Sequence, residues 1–408
     1  MKHYDLIVVG GGISGVGAAV SAAREGLSVL LVETFGSLGG AMSNSLVFPF
    51  MRHTLGGAED RPLSAGIFSE MKARREAFCD TSWETYKLVF DDMVSEAGVE
   101  VLFHTTVFEC VTEGRRIRSV KAATKAGVME FSADYFIDAS GDGELLFLAG
   151  CAFQLGRESD GYCQPMTTCF RLSGVDLARF AEEGALLQER YVAAQREGRI
   201  QNPRENILVF RGLGDGVVHF NTTRVVKHDP TDPFAISRAE MLARRQVYEM
   251  VAFLKENSTA FTRASIAAIA NHIGVRESRK LQGVHVLTEA ELRSCYDFED
   301  TVALGNYDID IHNPTGTGTY IYRFPEGAYY RIPYRSLLPK EYDNMLVAGR
   351  CLSADHTAHS AVRIMPICAC LGEAAGIAVS VCHKTGASTH TVDIGRVREV
   401  LLEKGAAL

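Results

Sequence analysis

An α/β fold is predicted for this 408-residue chain by three observations. Residues 6–33, LIVVGGGISGVGAAVSAAREGLSVLLVE, run from an apolar strand through Gly10, Gly12 and Gly15 into a small-residue helix and then a second apolar strand. Residues 344–350, NMLVAGR, read as another buried strand, followed by a loop and a helix that carries Leu371-Gly372-Glu373-Ala374-Ala375-Gly376. Between them, from Glu100 to Phe131, the apolar period changes to two, the mark of short strands separated by turns at Gly114 and Gly127.

The first stretch carries the G-x-G-x-x-G pattern between a strand and a helix, the order needed to hold a dinucleotide. Gly10 permits the tight turn, Gly12 lets backbone approach a pyrophosphate, and Gly15 with Ala18 and Ala19 lets the helix lie close to the sheet. The helix N-terminus offers unpaired N–H groups and partial positive charge to an anion. Glu33, about 20 residues on, stands where a carboxylate accepts hydrogen bonds from a ribose diol.

Composition is ordinary for a globular protein, with 47% hydrophobic and 23% charged residues, so disorder is excluded. A formal net charge of −8 gives no reason to expect nucleic acid or an anionic membrane as a partner. No apolar run reaches the roughly 18 residues that span a bilayer, and the N-terminus enters a strand directly, so a cytoplasmic protein is expected. The ten cysteines are scattered without a C-x-x-C pair, which excludes the usual zinc and iron–sulfur spacings; no metal is expected. They suit a reducing compartment as small buried hydrophobes, with Cys163 and Cys351 as the redox alternatives.

Along the chain, the loop after Glu33 ends in Gly39-Gly40, where backbone can pass close to a flat ligand. Helices are predicted from about Gly66 to Ala77 and after a Thr81-x-x-Glu84 capping box. The apolar run Tyr135–Ala139 ends in Ser-Gly-Asp-Gly-Glu, placing Asp142 at a sheet edge, either as a cofactor ligand or as a turn residue. Residues 151–306 read as a second unit inserted into the first, with a charged helix over 176–198 and a long one opened by Ser237-x-x-Glu240, buried through Met241, Leu242, Met250, Val251 and Leu254. Thr288-x-x-Glu291 opens a shorter one. In Gly274–Lys280, Arg276 and Arg279 flank Glu277 either as a surface ion-pair run or as a pocket that binds a carboxylate. His312 lies at the mouth of a Pro/Gly loop, a position that suits proton transfer as well as a structural role. Tyr320, Tyr322, Tyr329, Tyr330 and Tyr334 follow, dense enough to wall a ring system or to cover a sheet.

Taken together, VVGGGISG, Glu33, Gly39-Gly40, FIDASGDGEL, GVRESRK, DIDIHNPTGTG, IPYRSLLP, NMLVAGR and LGEAAG resemble the FAD-dependent oxidoreductases grouped as the FAD_oxidored family, near the fumarate reductase flavoproteins. The resemblance spans about residues 4–382. It implies a glutathione-reductase-like FAD-binding domain, residues 1–150 plus 307–408, with an inserted α+β substrate domain. It also implies FAD with its pyrophosphate over Gly10, Gly12, Ser14 and Gly15, its adenosine at Glu33 and Val107, Asp142, Gly349 and Arg350 near the ribityl chain or phosphates, and the flavin facing Gly40 and Ala41. Arg276 and His312 are placed toward the flavin, with Arg279 and Tyr330 as their substitutes.

The implied activity is hydride transfer between flavin N5 and a carbon of a small polar substrate, with His312 moving the proton and an arginine holding an anionic group. No second complete dinucleotide fingerprint is present, so electrons are expected to pass through a second substrate or a partner protein, and a homo-oligomer is possible. An electron-carrying flavoprotein subunit, a thiazole-synthase-like use of the dinucleotide as reactant, and covalent flavin attachment through His356, His359 or Cys351 are the alternatives.

Overall fold

The computed structural model describes residues 2–57, 60–79 and 82–408. Strand β1 (Lys2–Val9) leads through the glycine turn into helix α1 (Ile13–Arg24) and strand β2 (Val29–Val32). Helices α2 (Ala41–Asn44), α3 (Ile67–Glu76) and α4 (Thr85–Glu96) precede strands β3 (Glu100–Leu102), β4 (Thr106–Glu113), β5 (Arg116–Thr124) and β6 (Gly127–Asp138). The capping box expected at Thr81 lies outside the described residues. Two strands expected at 128–131 and 135–139 are one twelve-residue strand, because Ser132-Ala133-Asp134 continue the pairing with β1.

Next come α5 (Glu144–Leu148), β7 (Phe153–Leu155), β8 (Phe170–Ser173), α6 (Leu177–Arg196), β9 (Val209–Phe210), β10 (Val218–Phe220), α7 (Pro233–Asn257), β11 (Ser265–Ile269), β12 (Arg279–Leu281) and α8 (Glu289–Arg293). The chain closes with β13 (Thr301–Gly305), β14 (Ile309–His312), β15 (Thr319–Tyr322), β16 (Tyr330–Pro333), β17 (Met345–Val347), α9 (His356–Val362), α10 (Met365–Thr385) and α11 (Ile394–Glu403). Helix α7 starts four residues before the expected Ser237, because Asp232 accepts the Ala235 N–H and Pro233 sets the first turn. Met241 and Leu242 consequently face outward, and small Ala239 and Ala243 take the buried positions instead. The capping box at Thr288 and Glu291 forms as the sequence predicts.

The main sheet has the order β3-β2-β1-β6, all parallel, and β17 lies parallel to the last residues of β6. The first half of β6 turns away to pair antiparallel with β5, which pairs with β4. Register sets the site: Val9 is opposite both Val32 and Asp138, and Asp138 is opposite Val347. Gly10, Glu33, Ala139 and Ala348 therefore emerge side by side at one edge. Alternation along β1 sends Leu6 and Val8 into the apolar core with α1 and α10, and Ile7 and Val9 into the core on the opposite face.

A separate apolar cluster is built from β8, β10, α6 and α7. Leu281, Leu287, Leu292, Phe298 and Val302 pack instead into the cores of the main sheet. They fall within the 151–306 stretch marked as an insertion, so its C-terminal part is not packed separately.

Helices α1 and α10 run parallel in direct backbone contact. A Cβ on Gly372 would lie 2.0 Å from Ser14 O, one on Gly376 2.3 Å from Ala18 O, and one on Gly17 2.8 Å from Ala369 O. By length and hydropathy α10 could span a membrane, contrary to the sequence reading, but 94% of that window is buried within the fold. Its Glu373 accepts the first N–H of α3, from Ile67, on both carboxylate oxygens at 3.2 Å.

Replacing Gly372 with Ala gains about 1 kcal/mol of helix propensity but drives a methyl into backbone that cannot yield. Overpacking of this kind costs 1–3 kcal/mol or more, so thermal unfolding should show net destabilisation. Burial of Glu373 raises its carboxyl to about 7. A folded pKa above the unfolded one means that its contribution is full below about pH 4.5 and is lost as pH rises through 7. Glu373→Gln, which keeps an acceptor, should flatten the pH dependence of stability between pH 5 and 8. At pH 8 it should remove a penalty on the order of 3 kcal/mol, read as a higher Tm than the parent.

Candidate functional site

At the edge where β1, β2, β6 and β17 end lies a cavity of about 390 Å³. Gly10, Gly12, Ser14, Glu33, Gly40, Ala41, Val107, Asp142, Gly349 and Arg350 all line it. Gly15 does not: a Cβ there would lie 1.8 Å from Gly10 O, so this glycine serves the turn rather than the cavity. Gly10 has φ +99°, and a Cβ on it would meet Ala139 O at 2.6 Å, so both torsion and space require glycine. Gly12 differs, because the nearest atom to its added Cβ is Gly40 Cα at 3.9 Å. What a side chain at Gly12 would fill is the cavity.

Two helix N-termini open there. Gly12 caps α1, and Met365 and Cys368 of α10 line the far end. Since Gly372 is level with Ser14, α10 begins about six residues beyond the start of α1, roughly 9 Å along the axis. The cavity thus offers partial positive charge at two separate points along one elongated space.

Its polar lining is partly unspent. Ser14 Oγ and Asn44 Nδ2 are buried without a hydrogen-bond partner among the described residues. Glu33 accepts Gly11 N–H at 2.6 Å and Phe35 N–H at 2.8 Å, which fixes its carboxylate at the cavity wall. Burial outweighs these donors and raises its pKa. Burial likewise opposes ionisation of Asp142, but Arg350 at 2.7 Å and Ser278 Oγ at 2.6 Å outweigh it and lower the pKa. Asp142 is neither a simple turn residue nor a free carboxylate; it locks Arg350 against the cavity. Glu144 is pushed up to about 7 by burial and by Asp142, Asp138 and Glu33. A bound dinucleotide suits this inventory: glycines that leave room, helix ends for anionic groups, and donors without partners.

The residues expected to do chemistry are distributed differently. Arg279 donates to Asp142 O at 3.2 Å and covers Phe147 at 4.3 Å, so it buttresses the loop from outside. Tyr330 is buried, its hydroxyl donating to Tyr307 O and Ala361 O at 3.2 Å, and it is out of reach as a proton carrier. None of the five clustered tyrosines lines the cavity, and β15 and β16 belong to different two-stranded sheets. The Gly274–Lys280 run is not a surface ion-pair run: Glu277 and Lys280 are fully buried as a pair, and His356 Nδ1 joins Glu277 at 2.9 Å. Cys351, His356 and His359 do not line the cavity, and burial raises the Cys351 thiol pKa well above its ordinary value.

Arg276 and His312 come together behind the start of α10. Arg276 donates to Thr167 Oγ1 and Pro165 O, both at 2.6 Å, and to Asn221 Oδ1 at 3.2 Å. His312 Nδ1 accepts from Arg224 Nη2 at 3.1 Å, and its Nε2 is 3.5 Å from Asp310. Burial and Arg276 lower the imidazole to about 3, so it is neutral with its proton on Nε2. Arg363 joins the two regions: it lines the cavity and reaches Gln164 Oε1 at 3.4 Å.

Sequence reasoning missed Asn44, Gln164, Arg204, Arg224 and Arg363 as site residues. Only Arg363 left a signal, because a cation just before the first turn of a helix opposes the helix dipole and needs another reason to be there. The others are brought in by the fold.

A curated relative, a flavin-dependent halogenase of Armillaria mellea, is 30% identical over 173 residues, 34% of this chain and 32% of its own length. The match thus spans about a third of that relative. Among solved structures, a geranylgeranyl bacteriochlorophyll reductase-like protein of Thermoplasma acidophilum aligns over 100% of this chain and 85% of its own. Its TM-score is 0.50 at 12% identity. A variant of a flavin-dependent brominase aligns over 98% of this chain and 84% of its own, with TM-score 0.50 and 10% identity. At these identities the structures speak for the fold, a mixed α/β arrangement of the FAD-binding Rossmann type. The profile of the FAD dependent oxidoreductase family matches residues 5–401. The chain belongs to the FAD-dependent oxidoreductase family, and it is a flavoenzyme whose cofactor is FAD.

Proposed function

We propose that the main sheet with α1 and α10 is a glutathione-reductase-like FAD unit, and that the part of the chain around β8, β10, α6 and α7 is an inserted substrate unit. The observation that carries this reading is the single elongated cavity running from Glu33 and Val107, past the start of α1, to Met365 and Cys368 at the start of α10. Glu33 and Val107 would hold the adenosine, Gly12 and Ser14 the pyrophosphate, and Gly40, Ala41 and Asn44 the flavin ring. Arg350, braced by Asp142, lies between them. Bound FAD supplies hydride exchange at N5 with a carbon of a small polar substrate.

The chain's own contribution is to place charge and move a proton. The start of α10 favours negative charge on the neighbouring ring. Asp310 faces His312 Nε2 and orients the neutral imidazole, its own carboxyl pKa lowered by His312 and Arg363 against its burial. An anionic substrate beside Arg276 would offset the charge that, after burial, lowers the His312 pKa, and with Nδ1 released from Arg224 the imidazole would take a proton from a substrate hydroxyl or amine, so we read the reaction as oxidation of the adjacent C–H.

Two measurements test this. Gly12→Val projects into the cavity without meeting protein, so the variant should fold with an unchanged apo Tm and lose FAD affinity at least tenfold; retention of FAD would remove the pyrophosphate from that turn. Anaerobic bleaching of the yellow protein against hydroxy acids, amino acids, sugars and enoates should find a reductant among the C–H donors. With FAD content unchanged, His312→Ala should slow that bleaching at least tenfold, and an unaltered rate would take His312 out of the proton step.

A further inference from the structure

Four arginines share the space behind the start of α10, and their charge is not matched by the protein. Arg204 and Arg224 are almost fully buried, and Arg276 and Arg363 retain limited exposure, Arg363 in the lining of the cofactor cavity and Arg276 next in sequence to Val275, which also lines it. The acidic groups facing them are Glu205, 3.1 Å from Arg224, and Asp310, beside His312. His312 is neutral, so the cluster holds about two positive charges in excess.

Hydrogen bonding shows the same deficit. Arg204 Nη1, Arg363 Nε and Gln164 Nε2 are buried and have no partner among the described residues. Each is a donor, and Arg204 and Gln164 belong to side chains that are more than nine-tenths buried. Leaving a buried donor unpaired costs 1–3 kcal/mol, more for a charged one, and no protein acceptor is placed to relieve it. The remaining donors in the cluster are spent on holding it in shape: Arg224 on Gly316 O, Gly318 O and Glu205, and Arg276 on Thr167, Pro165 and Asn221. Burial, and after it mutual repulsion, lower Arg276 to about 9 and Arg224 to about 10.

We infer that the substrate is a small molecule carrying two negative charges, such as a dicarboxylate, which seats its anionic groups on Arg204 and Arg363, accepts a hydrogen bond from Gln164 and is further attracted by the charge of Arg276. The seat deepens the proposed oxidation, on whose substrate end it rests. The cluster adjoins α10 through Arg363, so a dianion held there presents its carbon skeleton to the flavin end of the cavity. A neutral sugar or an amine would leave both excess charges uncompensated, and a single carboxylate would leave one.

The test uses the FAD-loaded protein and reads binding rather than turnover. Succinate, acetate, succinamide and inorganic phosphate are titrated at low ionic strength, followed by the flavin difference spectrum and by thermal shift. Succinate should bind at least tenfold more tightly than acetate, and succinamide should not bind. Arg204→Gln and Arg363→Gln, each with FAD content and Tm checked, should each weaken succinate at least tenfold while leaving acetate within about threefold. Phosphate binding tighter than succinate, with the same arginine dependence, would support the dianion and assign it to a phosphate group. Equal binding of succinate and acetate by the parent protein would overturn the inference whether or not a variant folds. Tight, arginine-dependent succinate binding without flavin reduction by any hydroxy or amino dianion would keep the seat and overturn the oxidation reading. Flavin reduction by a neutral substrate, with no anion binding, would do the reverse.

Discussion

The backbone contact between α1 and α10 is the constraint on which the rest of the structure depends. Glycine at 372 and 376 on one helix and at 17 on the other removes the side chains that would hold two helices apart, so main chain meets main chain. The helices cannot slide, since a shift of one residue would bring a larger side chain against a carbonyl oxygen. Their relative advance is thereby fixed, and with it the spacing between the two positive helix ends. The cavity's length is a consequence of packing in the core, well away from any atom that a ligand would touch.

From that frame the charges sort themselves by position. Near the strand ends the protein supplies carboxylates held by their own partners: Glu33 by backbone N–H groups and Asp142 by Arg350. Behind the start of α10 it supplies guanidinium groups in excess of carboxylates. A cofactor with a polar adenosine end and an anionic middle would suit the first region, where glycines give room. The second region is built differently, from long side chains crowded together. Arg363 stands at the boundary and belongs to both.

What the sequence revealed follows from where each signal was local. Gly10, Gly12, Glu33 and Asp142 sit on short segments whose strand, turn and helix context is readable within thirty residues, so both fold class and cofactor edge were legible. Gly15 has two expected roles, close packing of helix on sheet and a place beneath the pyrophosphate; the structure turns it toward Gly10 O and Ala139, which fits the first. Tyr330 and Arg279 were drawn in by residue type, and the fold spends both elsewhere. Met241 and Leu242 were expected inside because hydrophobicity was weighed above helix phase, and the start at Pro233 sets a phase that buries alanines.

The arginine cluster was illegible for a different reason. Its members come from a loop before β9, a segment after β10, the stretch before β12 and the junction of α9 and α10, separated by up to about 160 residues of chain. No window of sequence contains all of its faces; Arg276 reads as a pocket candidate, but Arg204 and Arg224 each read alone as an ordinary surface cation. Burial changes that reading, because an arginine without a carboxylate is tolerable at a surface and costly inside. A chain that keeps four such groups together with two carboxylates holds an unfavourable free state. That state is understandable if the recess is completed by a ligand, and the completing charge is negative.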